Sequence, residues 1–148
     1  MVKKLKVSIK NVKFGKNVTV IEPVNLYGCS IGDNTLIGPF VEIQKNVEIG
    51  KNCRIQSHTF VCENVKIGDN CFIGHGVNFI NDKFTDKKLN RNPESFLQTK
   101  ISNNVRIGSN ATILPVNIKN NTVIGAGSVV TKNCDKNSTY FGNPARKK

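Results

Sequence analysis

The chain has two histidines, His58 in "QSHTF" and His75 in "GHGVNFIND", and the second is followed six residues later by Asn81, Asp82 and Lys83. An imidazole with an ordinary pKa of about 6.5 is suited to take a proton near neutral pH. A carboxamide oxygen accepts an N–H bond and can orient an amine lone pair, although it cannot serve as a base. The same residues have plainer uses: an Asn-Asp pair commonly starts a loop, and a surface imidazole commonly bonds backbone at a turn. Cys29, Cys53, Cys62, Cys71 and Cys134 form no CxxC pair, and with two histidines they make no zinc set. They read as small buried fillers and not as nucleophiles, and no metal is expected.

The 148 residues are enough for one domain with a real core. Net charge is +12, from 22 basic and 10 acidic residues. No basic run is interleaved with aromatics and no helical pattern could enter a groove, so nucleic acid is not an expected partner. The lysines are scattered, and their field favours small phosphorylated ligands. No apolar run approaches the roughly 20 residues that cross a membrane. "MVKKLKVSIK" lacks the apolar stretch of a signal peptide. A cytoplasmic location without membrane partners is the expectation.

The elements that must position these side chains follow from a repeat. An aliphatic or aromatic residue recurs every six positions at Ile31, Ile37, Ile43, Ile49, Ile55, Val61, Ile67, Ile73 and Phe79. Neither a helix nor an ordinary strand sustains that period. Gly32, Gly38, Gly50, Gly68 and Gly74 follow one position later. Four positions after each apolar residue comes a small or β-branched one, such as Thr35, Val41, Cys53, Thr59 and Cys71. The frame extends upstream through Phe14, Val20 and Leu26, with a residue missing at "NLYGCS". Downstream it runs through Ile101, Ile107 and Ile113, then after a second five-residue step through Ile118, Ile124 and Val130. Short strands joined by tight turns, with Gly and Asn at positive φ, give a triangular solenoid in which each coil is three hexapeptides and equivalent residues stack. Cys53 and Cys71 are such a pair, about 4.8 Å apart. Between residues 81 and 100 the pattern breaks, which predicts an extruded loop.

Units such as "IGDNTL", "IGKNCR", "IGDNCF" and "IGAGSV" closely resemble the hexapeptide-repeat acyltransferases. The resemblance implies an all-β fold, a left-handed parallel β-helix, forming a single acetyltransferase domain over residues 1–148 with a C-terminal tail at 135–148. It also implies a cytoplasmic homotrimer with active sites between subunits. The segments "QSHTF" and "GHGVNFIND" are similar to the subfamily that acetylates the 3-amino group of a dTDP- or UDP-linked amino-deoxy sugar, using acetyl-CoA, for O-antigen and S-layer glycans. The related 4-amino-sugar enzymes usually carry an N-terminal α/β domain, and none is expected ahead of the repeats that begin near Val12. Alternatives are a hexapeptide acetyltransferase for another acceptor, a 4-amino sugar or a hydroxyl, or a non-catalytic β-helix scaffold. A zinc hydratase on this fold needs three histidines, and an ice-binding solenoid needs a regular Thr face.

On this resemblance Asn81 and His75 are the catalytic candidates, Asn81 contacting the reacting amine and His75 placed near the same corner as base. His58, expected one coil below His75 and nearly in line, joins Asp82 and Lys83 as substrate-binding candidates. Acetyl-CoA, the co-substrate, is expected at Ser109, Asn110, Ala111, Gly125 and Ala126, with Lys132 and Arg146 as cations for its phosphates. Two departures stand out. "ILPVNIKNN" lacks a family glycine and is one residue short, so the turn after Pro115 should differ. "KFTDKKLNR" replaces a usual Tyr-Pro-Arg segment, and Lys83, Lys87, Lys88 and Arg91 could meet a uronic-acid carboxylate.

Overall fold

The computed structural model describes residues 1–85 and 88–148; Lys87 therefore lies outside the described residues. Strands of two or three residues form three sheets of seven, six and eight strands. These are the faces of a left-handed parallel β-helix of about 7 turns. Face A runs from Ile9–Lys10 to Val129–Val130, face B from Lys13–Phe14 to Asn117–Ile118, and face C from Thr19–Val20 to Thr139–Phe141. Most strands end on one inward aliphatic residue: Ile37, Ile43, Ile55, Ile73, Ile107 and Ile113 are wholly buried. Each such burial is worth roughly 1.5–3 kcal/mol. The small inward positions, among them Val41, Val47, Val65 and Val77, fill the vertices of the triangle.

The five cysteines occupy core positions and all are free. Cys53 and Cys71 form no disulfide: their thiols donate to the carbonyls of Gly68 and Ser102, each at 3.1 Å. Burial pushes the Cys29 and Cys134 thiols up to about 11 and Cys62 up to about 12. The Cys53 sulfur, together with burial, raises Cys71 as well. Thiols held protonated in this way are inert as nucleophiles.

Ile37 pairs with Ile55 and Ile55 with Ile73, so each of these coils is a full three hexapeptides. The pairings of Val20 with Ile37 and of Ile107 with Ile124 are each one residue tighter. The shorter offsets come from the two five-residue steps. Coiling starts before Val12, since Ile9–Lys10 pairs with Leu26–Tyr27. It also continues into the segment expected as a tail: Cys134 bridges Ile118, and Tyr140 pairs with Ile124. A four-residue step from Val130 to Cys134, and a tyrosine in an aliphatic place, conceal this last coil in the sequence. The strand Arg146–Lys147 then folds back antiparallel onto Thr139–Phe141 and covers the terminal edge. There Asp135 accepts from Lys147 at 3.1 Å, which holds its carboxyl below the usual range.

The interruption is shorter than the sequence break at 81–100. An uninterrupted coil would pair Val65 with position 83, as Glu48 pairs with Lys66 one coil earlier, but its partner is Thr99. Thr99–Ile101 already belongs to face B. The Leu97 N–H donates to the Asn81 carbonyl at 3.0 Å and closes the base of the loop. A single 3-10 turn, Pro93–Ser95, is capped by the Asn92 side chain, which accepts from the Glu94 N–H. The turn at Pro115 does differ from the others: no residue from Leu114 to Val116 takes a positive φ, and Pro115 and Val116 are buried.

Candidate functional site

Two of the three corners of the triangle carry the candidate residues. At the corner between faces C and A, backbone bonds climb from coil to coil: His58 N to Pro39 O, Gly76 N to Ser57 O, Asn110 N to His75 O and Gly127 N to Ser109 O, at 2.8–3.2 Å. The first turn position therefore stacks Pro39, Ser57, His75, Ser109 and Ala126. The second, with positive φ, stacks Phe40, His58, Gly76, Asn110 and Gly127. His75 stands above Ser57, whose Oγ lies 2.8 Å from its Nδ1. His58 is thus one position out of line with His75, because the local coil is a full three hexapeptides and not one residue short. Its ring instead packs on Phe40, centroids 4.8 Å apart.

This corner also explains two glycines. A Cβ on Gly74 would lie 2.6 Å from the Ser109 nitrogen, and one on Gly108 would collide with the Ala126 backbone. Any side chain there would push the coils apart. The glycines let the coils close on one another, which leaves Gly74 buried and Gly108 half-buried beside His75, Ser109 and Ala126. Ala111 is wholly buried, its N–H directed to the Gly108 carbonyl and its carbonyl accepting from Asn78, so it offers nothing to a ligand at this corner. Arg146 lies in the strand that closes face C, while Lys132 sits at a different corner, between face A and Cys134.

The corner between faces A and B holds the other group. There the chain leaves the coil at Asn81 and opens a cavity of about 640 Å³. Its wall combines the carboxamides of Gln44, Asn78, Asn81 and Asn90 with the carboxylates of Glu63 and Asp82 and the rings of Phe60, Phe84 and Phe96. Asp82 turns the loop, accepting the Phe84 N–H at 2.8 Å; Asn81 engages the chain through its carbonyl, and no bond to its carboxamide is present among the described residues. Lys83, Lys88 and Arg91 are exposed along the loop. Such a wall can hydrogen-bond hydroxyls, attract a cation and stack on the C–H face of a ring.

Within one chain the structure brings His75 together with Ser109, Asn110, Gly125 and Ala126, and Asn81 together with Asp82. It does not bring His75 to Asn81: the strand Asn78–Phe79 separates their corners. Glu63, Phe60 and Asn78 were not among the sequence candidates. Counting back one coil of three hexapeptides from Asn81 reaches Glu63, and that was the available signal. No group of three or more metal-ligating side chains occurs among the described residues.

Comparison with known proteins agrees with this architecture. The bacterial transferase hexapeptide model (six repeats) matches residues 28–63, and the hexapeptide repeat of succinyl-transferase matches 64–77 and 98–132, skipping the loop. A mutant of AntD, an N-acyltransferase from Bacillus cereus in complex with dTDP and coenzyme A, is similar at a TM-score of 0.82 and 26% identity. That match covers 92% of this chain and 81% of that one. PerB from Caulobacter crescentus, in complex with CoA and GDP-perosamine, is similar at 0.67 and 20% identity, over 95% of this chain and 57% of that one. A hexapeptide-repeat acetyltransferase from Vibrio cholerae, complexed with acetyl coenzyme A, is similar at 0.68 and 24% identity, over 81% and 69%. No curated protein matches by sequence. With hexapeptide models spanning both sides of the loop and a β-helix beneath them, the chain belongs to the hexapeptide-repeat transferases.

Proposed function

We propose that this protein transfers an acetyl group from acetyl-CoA to the amine of a nucleotide-linked amino-deoxy sugar, at the 3-position, for a bacterial surface glycan. The observation that carries this is the cavity at Asn81, whose amides, carboxylates and phenylalanine rings suit an aminated pyranose. Solved structures of the same fold hold coenzyme A together with dTDP or GDP-perosamine. The 3-position rests on the likeness of "QSHTF" and "GHGVNFIND" to that subfamily.

In this reading the pantetheine arm lies along the Ser109 and Ala126 corner, which supplies backbone groups to it. Acetyl-CoA brings an activated carbonyl. The protein's part is to hold the neutral amine against it in near-attack geometry, an effect worth several orders of magnitude. Asn81 accepts an amine N–H and aims the lone pair. His75, fixed by Ser57, is placed at the same corner as Ser109 and takes up a proton there. Because His75 and Asn81 stand at different corners of one chain, the complete site needs the face of a second copy, and a trimer supplies it.

The test is thiol release from acetyl-CoA with a panel of 3-amino, 4-amino and hydroxyl sugar nucleotides. Turnover is expected with a 3-amino sugar, and Asn81→Ala is expected to lower it at least about tenfold while the oligomer persists. Release with the hydroxyl sugars alone would move the reading to O-acetylation. Silence across the panel would remove it.

A further inference from the structure

Beneath Asn81 the register places an acidic residue. Phe60 and Asn78 are strand partners, and three residues further along each strand lie Glu63 and Asn81, both in the wall of the same cavity. The Glu63 side chain is only 15% exposed, and its cationic neighbour among the described residues is Lys45 at 3.7 Å, itself 47% exposed. That contact is long and open to solvent, so it neutralises little of the charge. The Glu63 field is visible on its surroundings. It adds to burial in pushing the Cys62 thiol up to about 12, and with burial and Glu42 it raises the Tyr27 phenol. Glu63 and Asp82 are the carboxylates of the wall. One Asp82 oxygen is already occupied in turning the loop.

Building on the amino-sugar reading above, we propose that Glu63 binds the ammonium form of the acceptor and makes this site prefer an amine to a hydroxyl at the same carbon. A sugar amine arrives largely protonated at neutral pH. Against a partly desolvated carboxylate it forms a charge-assisted bond, which a hydroxyl cannot match. Asn81, in the wall of the same cavity, receives the N–H after the ammonium has given its extra proton to water. The two residues thus act on successive protonation states of one nitrogen, Glu63 on the cation and Asn81 on the nucleophile.

The experiment is calorimetric binding of a matched pair of sugar nucleotides, amino and hydroxyl, between about pH 6 and about pH 10. The wild-type protein is expected to bind the amino form roughly ten- to a hundredfold more tightly. That preference should fade as pH rises through the amine's own pKa. Glu63→Gln keeps the size and removes the charge, so the preference should fall to about threefold or less and lose its pH dependence. Lys45→Met removes the same ion pair from the other side and should leave the preference intact, which separates ammonium binding from lost structure. Asp82→Asn, the other wall carboxylate, should keep the pH profile. A Glu63→Gln protein with wild-type preference and profile overturns the inference while acetyl transfer stands. A wild-type protein that binds neither nucleotide sugar overturns the functional reading and this inference with it.

Discussion

Thr35, Thr59 and Thr122 each place a hydroxyl in the small inward position, fully enclosed, and each donates to a carbonyl: Gly50 at 2.9 Å, Gly74 at 3.0 Å and Asp135 at 2.8 Å. Thr35 also accepts the Cys53 N–H. Thr99 occupies the same kind of position, 1% exposed, and its hydroxyl has no partner among the described residues. By the geometry of Thr35 and Thr59, its acceptor would be the carbonyl of Leu114, at the mouth of the shortened Pro115 turn. A buried hydroxyl without a bond costs about 1–3 kcal/mol, whereas a satisfied one contributes about 1 kcal/mol. Thr99→Val is therefore expected to raise stability by about 1 kcal/mol and Thr59→Val to lower it by a similar amount. The denaturation midpoints of the two variants should move in opposite directions. Both threonines were legible as inward-facing; which one lacked a partner depended on carbonyl positions in the next coil.

The corner between faces B and C is an asparagine ladder. Asn17, Asn34, Asn52 and Asn70 all take positive φ, and the Nδ2 of each of the first three donates to the Oδ1 of the residue above at 3.2–3.4 Å. Asn104, Asn121 and Asn137 continue the pattern beyond the insertion. Asparagine tolerates the left-handed region better than other residues with a Cβ, and its amide links coils as in stacked polar zippers. Asn52→Ala loses two ladder bonds and places alanine at φ 55°, so a loss of about 1–2 kcal/mol is expected. Asn52→Gly keeps the turn, and thermal unfolding should show it closer to wild type. The corner between faces C and A departs from this rule with Phe40 and His58, both non-glycine residues at φ of 60–62°. Asparagine at turns was evident from composition and period. Its sorting into one corner that is asparagine in every coil and another that is not required the coil offsets.

Across the whole molecule, the described structure puts the two catalytic candidates at separate corners, and this makes the assembly testable. If each site takes His75 from one subunit and Asn81 from the next, His75→Ala and Asn81→Ala chains should each be impaired alone. Mixed by co-refolding, they should regain roughly a quarter of wild-type activity, because about that share of interfaces recovers both side chains. No recovery in mixed oligomers would place both residues' effects within one chain.

The sequence by itself determined the solenoid. A six-residue recurrence of enclosed aliphatic residues can bury them together only by coiling, and the break at Asn81 had to leave the coil because its polar residues cannot enter it. Tertiary structure decided which side chains meet. Where a coil of three hexapeptides loses one position, each later side chain meets the next turn position of its neighbour. The coils beneath His75 and Asn81 lose none, so His75 rests on Ser57 and not His58, and Glu63 lines the same cavity as Asn81. The inward pattern is local and survives such slips, while neighbours across coils depend on the accumulated offset, fixed by strand pairing from one coil to the next.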